Sequence, residues 1–257
     1  MAKHKSLKVQ ILITYLWILL AGSAVSAREK CSFACKEIPD TSEVLTSLGR
    51  PVQNELPENL KIYVWNIYKS RNEPWQKQFD TITKDADLIL FQETMINPEY
   101  LPNYQRDLGF GWGHATSYFY DDNYNSLTGV ATAAKTIPVA AQFFRTKVKE
   151  PFVKSYKLSL LTKYPIKNRQ DTLAVVNIHG INRHTETELK EQVNAAIDQL
   201  KNHNGPILFA GDFNTRNEAR TKAVDQAMSQ IGLKRVKWST DIKPYPLDHA
   251  YVRALKV

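Results

Sequence analysis

The sequence predicts two β-sheets packed face to face with helices outside them. Three observations lead there. Many short segments rich in aromatic and β-branched residues alternate with turn residues. Only a few stretches carry a helical period. The clearest strands finish on polar residues, which gathers reactive groups at one end of a sandwich. The best case is Pro206-Ile207-Leu208-Phe209-Ala210-Gly211-Asp212-Phe213-Asn214. An apolar run of this length between turn residues reads as a strand buried on both faces. Asp212 and Asn214 are two apart, so on a strand they would leave the same face side by side.

Taken in order, residues 28 to about 59 read as a lead-in, because Pro39, Gly49, Pro51 and Pro57 interrupt any long period. Lys61 to Ile67 reads as a strand ending at Asn66. A helix is expected to start near Glu73-Pro74 and to run through Trp75, Phe79 and Ile82. Asp87 to Thr94 is a second buried strand, with Glu93 at its exit. Gly109 to Tyr124 is aromatic and glycine-rich and reads as a surface loop or ragged strand, with His114 a surface or packing histidine. Thr128 to Ala133, Val139 to Phe144, Tyr156 to Thr162 and Leu173 to Ile178 follow as strands with no helix between them, which suggests antiparallel neighbours. Thr185 to Leu200 is an amphipathic helix with Leu189, Val193, Ile197 and Leu200 on one face, and Thr185 with Glu188 forms a capping box. A further helix spans about Glu218 to Ile231 and ends at Gly232. Leu247 to Val252 is the last strand.

The 257 residues are enough for one large domain or two small ones. A net charge of +8 includes Lys3, Lys5 and Lys8 of the first ten residues; the rest carries +5, a moderate excess that suits a polyanionic partner. Those lysines, the apolar run Val9 to Leu20 and the small-residue stretch Ala21 to Ala27 form a signal peptide over residues 1–27, cleaved after Ala27. Periplasmic or secreted placement is therefore expected; the alternative is an uncleaved membrane anchor. The only cysteines, Cys31 and Cys35, could pair in an oxidising compartment and are poor evidence for zinc.

The polar strand-end residues are Asn66, Glu93, His179, Asp212, Asn214 and Asp248. Any one of them alone has an ordinary structural explanation as a capping acid, a turn amide or a packed histidine. Together they suggest phosphoester hydrolysis. Glu93 can hold one Mg2+ that keeps most of its waters. Asn66 or Asn214 can orient a water without adding charge. Asp212 can hold or deprotonate that water. His179 can donate a hydrogen bond to phosphoryl oxygens.

Trp65-Asn66-Ile67, Gln92-Glu93, Asn177-Ile178-His179-Gly180, Gly211-Asp212-Phe213-Asn214 and Leu247-Asp248-His249, in that order, resemble the endonuclease/exonuclease/phosphatase superfamily, with its deoxyribonuclease I-like fold. The likeness covers about residue 60 to the end. Val64 to Lys69 looks closest to a bacterial branch. The resemblance implies an α/β four-layer sandwich of two mixed β-sheets flanked by helices, occupying residues 60–257. It implies Mg2+-dependent phosphoester cleavage, with Mn2+ or Ca2+ as substitutes. On that match Glu93 is the metal ligand with Asn66 beside it, and His179, Asp212 and Asn214 are catalytic. Glu150 to Lys154 resembles a segment that brings a basic side chain to the phosphate, which nominates Lys154.

The family normally ends with a further strand and a Ser-Asp-His motif. Leu247-Asp248-His249 matches the strand before that motif, where the acid is a supporting group, so Asp248 is assigned that place. The expectation is a chain that is C-terminally short at Val257, lacking the last strand: a truncated product or a catalytically impaired member. The preferred substrate is nucleic acid, DNA or RNA, held through its phosphates. The alternatives are a phospholipid, sphingomyelin or phosphoinositide esterase, for which Phe110 to Tyr120 would have to serve as an exposed apolar hairpin, and a binding protein that lacks turnover. No protein partner is implied, and a monomer is expected.

Overall fold

In the computed structural model, which describes residues 28–32, 34–72, 74–238 and 245–257, thirteen strands form two sheets. The strands are β1 (Glu29–Lys30), β2 (Cys35–Ile38), β3 (Leu45–Gly49), β4 (Ile62–Asn66), β5 (Leu88–Ile96), β6 (Gly111–Tyr120), β7 (Leu127–Ala134), β8 (Ala140–Arg145), β9 (Leu158–Pro165), β10 (Thr172–His179), β11 (Ile207–Asp212), β12 (Lys234–Arg235) and β13 (Asp248–Arg253). The helices are α1 (Trp75–Asp85), α2 (Leu101–Gln105), α3 (Glu186–Leu200) and α4 (Glu218–Ser229). The first sheet runs β1-β2-β6-β7-β5-β4, with β3 also paired to β6; the second runs β12-β13-β11-β10-β9-β8. Each sheet contains one parallel pair, β4 with β5 and β10 with β11, among antiparallel neighbours.

Leu88 and Leu90 of β5 meet Val175 of β10 and Leu208 of β11 in a core between the sheets. The outer face of the second sheet is covered by α3 and α4, through Leu189, Val193, Ile197 and Leu200 from one and Val224 and Met228 from the other. Each such side chain contributes about 1.5–3 kcal/mol on burial. Phe79 of α1 and Tyr104 of α2 cover the outer face of the first sheet around Phe91 and Trp112. The order is helices, sheet, sheet, helices. Thr185 caps α3 by accepting from Thr187 N, and its hydroxyl donates to Glu188. Gly232, at φ +75°, follows α4 as expected.

Two readings change. Part of the lead-in belongs to the sheet: β2 and β3 both pair with β6, in strands too short to show a period. Of the two forms expected for Gly109 to Tyr124, the bulged strand is the one found, and it is buried and not at the surface. Most of it is β6, the strand joining β2 and β3 to β7, with Phe110, Trp112, Tyr118 and Phe119 all buried. It offers no exposed apolar hairpin. His114 is fully buried, bonded to Thr94 Oγ1 at 2.9 Å and Thr116 Oγ1 at 3.2 Å. The glycines hid this strand, yet Gly113 lies where a side chain would have room. Cys31 and Cys35 form a disulfide at the edge of the first sheet. The signal peptide lies outside the described residues. Among those described, no helix is long and apolar enough to cross a membrane.

Candidate active site

Because β4 runs parallel to β5 and β10 parallel to β11, these strands leave the sandwich at one end. Asn66 is the last residue of β4, His179 of β10 and Asp212 of β11, and His179 and Asp212 are register partners. Glu93 arrives differently. It is the extra residue of a β-bulge in β5, where the register with β7 shifts between Gln92 and Thr94, and its φ is +50°. A bulge lifts one side chain out of the strand's alternation, a common device beside active sites. Gly129 of β7 stands opposite this bulge and opposite a second one, between Thr116 and Tyr118 of β6. A Cβ there would lie 1.9 Å from Ala115 O, so the two bulges close on β7 only over glycine.

The bulge is braced from the other sheet. Asn177 of β10 donates to Phe91 O at 3.1 Å and Ala131 O at 2.9 Å and accepts from Gln92 Nε2 at 2.7 Å, all fully buried. This polar clasp lies beside Glu93 and two residues before His179. At the far side, Gly180 N–H donates to Asp212 O at 2.6 Å, and a Cβ on Gly180 would sit 2.5 Å from Phe213 O, so the strand exits touch.

The candidate side chains converge on Asn66. Its Nδ2 donates to Asp212 Oδ2 at 2.9 Å and to Glu93 Oε1 at 3.3 Å, while its Oδ1 accepts from Tyr68 N–H at 3.1 Å. Asn66 therefore ties the two carboxylates together as a donor. His179 Nε2 stands 3.9 Å from both Glu93 Oε1 and Asp212 Oδ2. Asn214 lies off the β11 alternation, with φ at +53°, so the same-face argument from i to i+2 does not apply. It still joins the site: its N–H donates to Asp212 Oδ1 at 2.8 Å and its Nδ2 to Gly180 O at 2.9 Å. Asp248 faces Asp212 across the β11–β13 register and is exposed at the strand start. His249 is buried instead, bonded to Thr215 Oγ1 at 2.6 Å.

Lys154 sits exposed on the loop before β9. Two cations missed in the sequence, Lys157 and Lys69, stand beside His179 and Glu93. Lys157 Nζ lies 3.2 Å from His179 Nε2 and 3.4 Å from Glu150 Oε2. Lys69 Nζ is 2.5 Å from Glu93 Oε2. Lys69 is held there by a 3-10 turn whose Tyr68, Lys69 and Ser70 all have positive φ, a conformation that costs about 1–3 kcal/mol per residue. Its signal was its place three residues after Asn66; Lys157 had none.

Burial alone would raise the Glu93 carboxyl, but the charges facing it, from His179 when protonated and from Lys69 and Lys157, outweigh burial and hold it below its ordinary value. His179 itself is pushed well below its ordinary value, by burial first and then by Lys157. With that imidazole neutral, the lysines are what keep Glu93 ionised. The Asp212 carboxyl is pushed up, mainly by burial, against the opposing bonds from Asn66 and Asn214 N–H. The site thus holds one firmly ionised carboxylate and one that accepts a proton more readily, the separation that acid–base work needs.

Among the described residues no cluster of three or more His, Cys, Asp or Glu side chains forms a metal cage. Mg2+ is commonly held by one or two carboxylates and its own waters. Glu93, ionised and partly open to solvent beside Asp212, suits that mode. Asn66 as oriented fixes both carboxylates through its Nδ2, while its oxygen accepts from Tyr68 N–H.

Residues 63–257 match the sequence profile of the Endonuclease/Exonuclease/phosphatase family. The UPF0294 protein of Vibrio campbellii is 33% identical over 237 residues, covering 85% of this chain and 82% of that protein. An endonuclease/exonuclease/phosphatase family protein from Leptotrichia buccalis superposes with a TM-score of 0.53 at 17% identity, covering 76% of this chain and 88% of the other. The human nocturnin catalytic domain, solved with a bound sulfate anion, gives 0.53 at 15% identity over 84% of each chain. The profile spans well over half of the chain, and the sandwich has the fold of these structures; the chain belongs to the Endonuclease/Exonuclease/phosphatase family.

Proposed function

We propose that this protein is an exported, divalent-metal-dependent phosphodiesterase that hydrolyses nucleic acid. The observation that carries this reading is the Asn66 amide joining Glu93 and Asp212, with His179 at 3.9 Å from both. Glu93 would hold the metal, which when bound would polarise a phosphoryl oxygen and offset its charge. Asp212, raised by burial, accepts a proton from the attacking water. Asn66 and the Asn214 N–H hold that carboxylate in one orientation. The neutral His179 donates an N–H to the phosphoryl group, and the Lys157 ammonium beside it offsets negative charge as it builds. Family membership supports hydrolytic phosphoester chemistry. The preference for nucleic acid draws on the +5 net charge carried outside the first ten residues and the two lysines at the site.

The test is nicking of supercoiled plasmid by the purified protein with Mg2+, with EDTA, and as the Asp212→Asn variant. Nicking that needs both the metal and Asp212 is expected, with a loss of about 100-fold or more in the variant. Nicking that survives Asp212→Asn would remove Asp212 from the mechanism. A folded protein that leaves plasmid intact in Mg2+ and Mn2+ would sink DNA cleavage.

A further inference from the structure

Beside the site, between the starts of α3 and α4, lies a cavity of about 410 Å³ that the proposed chemistry does not use. Asn182, Arg183, His184, Arg216, Asn217 and Arg220 line it, with no carboxylate among them. Arg220 forms its floor and is almost fully buried. Its guanidinium donates to the carbonyls of Asn214 at 3.0 Å, His184 at 2.5 Å, Thr185 at 3.0 Å, and Ile181. Carbonyls satisfy its N–H groups, and Glu186 and Glu188 act on its charge from a distance without bonding it. Arg216 crosses from the cavity towards the site, donating to Asn182 Oδ1 at 3.0 Å and to Asn214 Oδ1 at 3.2 Å. Arg183 stands on the rim, 4.8 Å over the ring of the half-exposed Phe152.

Several nearby acids have partners of their own, while Glu186, at the start of α3, acts on the Arg220 charge from outside the cavity lining. Glu218 pairs with Lys222 at 2.6 Å, Glu188 bonds the Thr185 hydroxyl, and Glu150 takes the Asn182 N–H at 3.0 Å and faces Lys157. Three guanidinium groups therefore converge on a polar cavity whose lining supplies no negative charge. Guanidinium forks match phosphate oxygens. Arg216 bonds both the cavity wall and the catalytic Asn214, so an anion held here lies next to the reacting centre.

We propose that this cavity is a second phosphate subsite, holding the backbone phosphate next to the one being cleaved, and that the substrate is therefore a polynucleotide strand. This rests on the phosphodiesterase reading of the site. The lining has no apolar side chain to receive an acyl chain, whereas the Arg183–Phe152 pair on the rim offers a flat face for a base.

Arg183 is the residue to change, because it touches neither carboxylate nor Asn214. Binding of a fluorescein-labelled single-stranded DNA of about 12 nucleotides is followed by anisotropy in EDTA, for the unaltered protein, Arg183→Gln and Arg183→Lys. Hydrolysis of bis(p-nitrophenyl) phosphate, which carries one phosphate, is followed separately with Mg2+. Arg183→Gln is expected to weaken DNA binding about fivefold at low salt and to lower the salt slope by about 0.7, one single-strand phosphate contact. Arg183→Lys restores the slope, and neither variant changes hydrolysis of the small diester. Unchanged affinity and slope in Arg183→Gln would overturn the subsite. Arg183-dependent binding by a protein that cleaves no diester would overturn the catalytic reading and leave the subsite standing.

Discussion

Asn177→Ala tests the link between the core and the site. Asn177 makes three fully buried hydrogen bonds, to Phe91 O, Ala131 O and Gln92 Nε2. At about 1 kcal/mol net each they are worth about 3 kcal/mol, and the groups left unpaired in an apolar interior add to that. The expected loss is about 3–5 kcal/mol, a large share of the roughly 5–15 kcal/mol that a domain possesses. Gln92→Leu is the informative comparison. It removes the bond to Asn177 and a long one to Leu90 O at 3.3 Å, but it also removes Gln92 Oε1, which is buried without a partner. Its expected cost is therefore smaller, about 1–2 kcal/mol. The double variant should lose less than the sum of the singles, because one bond is counted in both. Urea denaturation measures all three, with Asn177→Ala shifting the midpoint by roughly 2 M at a slope near 2 kcal/mol per molar. A loss under about 1 kcal/mol in Asn177→Ala, or a cost in Gln92→Leu at least as large, would refute the claim that Asn177 braces the Glu93 bulge.

Three further outcomes follow from the same geometry. Burial holds His114 at about 3, so the unfolded chain takes up a proton below about pH 6.5 that the folded chain refuses, and stability falls as pH drops. Between about pH 7 and pH 5 this group removes about 2 kcal/mol; the gap between the unaltered protein and His114→Gln in urea melts should narrow by that amount, and a constant gap would contradict it. Gly129→Ala places a Cβ 1.9 Å from Ala115 O and should lower the melting temperature sharply, whereas Gly113→Ala, whose nearest neighbour would be 3.8 Å away, should not. Lys69→Ala frees Glu93 from its 2.5 Å ion pair and should tighten Mg2+ binding measured by calorimetry; weaker binding would mean that Lys69 positions Glu93 instead of competing for it.

Most of the architecture could be read from periodicity, because buried parallel strands such as β11 and amphipathic helices such as α3 carry their burial in the sequence itself. What failed did so for local reasons. β6 stayed open between loop and ragged strand because Gly109, Gly111 and Gly113 read as loop punctuation, although Gly111 lies against Pro51. β2 and β3 span only four and five residues, too few for an alternation to show. The positions of Asn66, Glu93, His179 and Asp212 followed from their places at strand ends, and the sheets do bring them together. Glu93 does reach the cluster, but from a bulge in the middle of β5 and not from its exit.

The cations show where such reading stops. Lys154 and Lys157 are three residues apart on one loop, and nothing in their spacing says which turns inward. The structure decides it through backbone conformation: Lys154 takes φ +55° and stays exposed, after which the chain extends into β9 and Lys157 meets His179. Lys69 likewise depends on three consecutive positive-φ residues that are not glycine. Conformations of that kind run against local preference, so a propensity argument must miss them. They survive because surrounding contacts hold them, here the Asn66 Oδ1 bond to Tyr68 N–H and the ion pair to Glu93. The charge balance of the site therefore rests on the residues least visible in the sequence, while its carboxylates, amides and imidazole rest on strands that the sequence shows plainly.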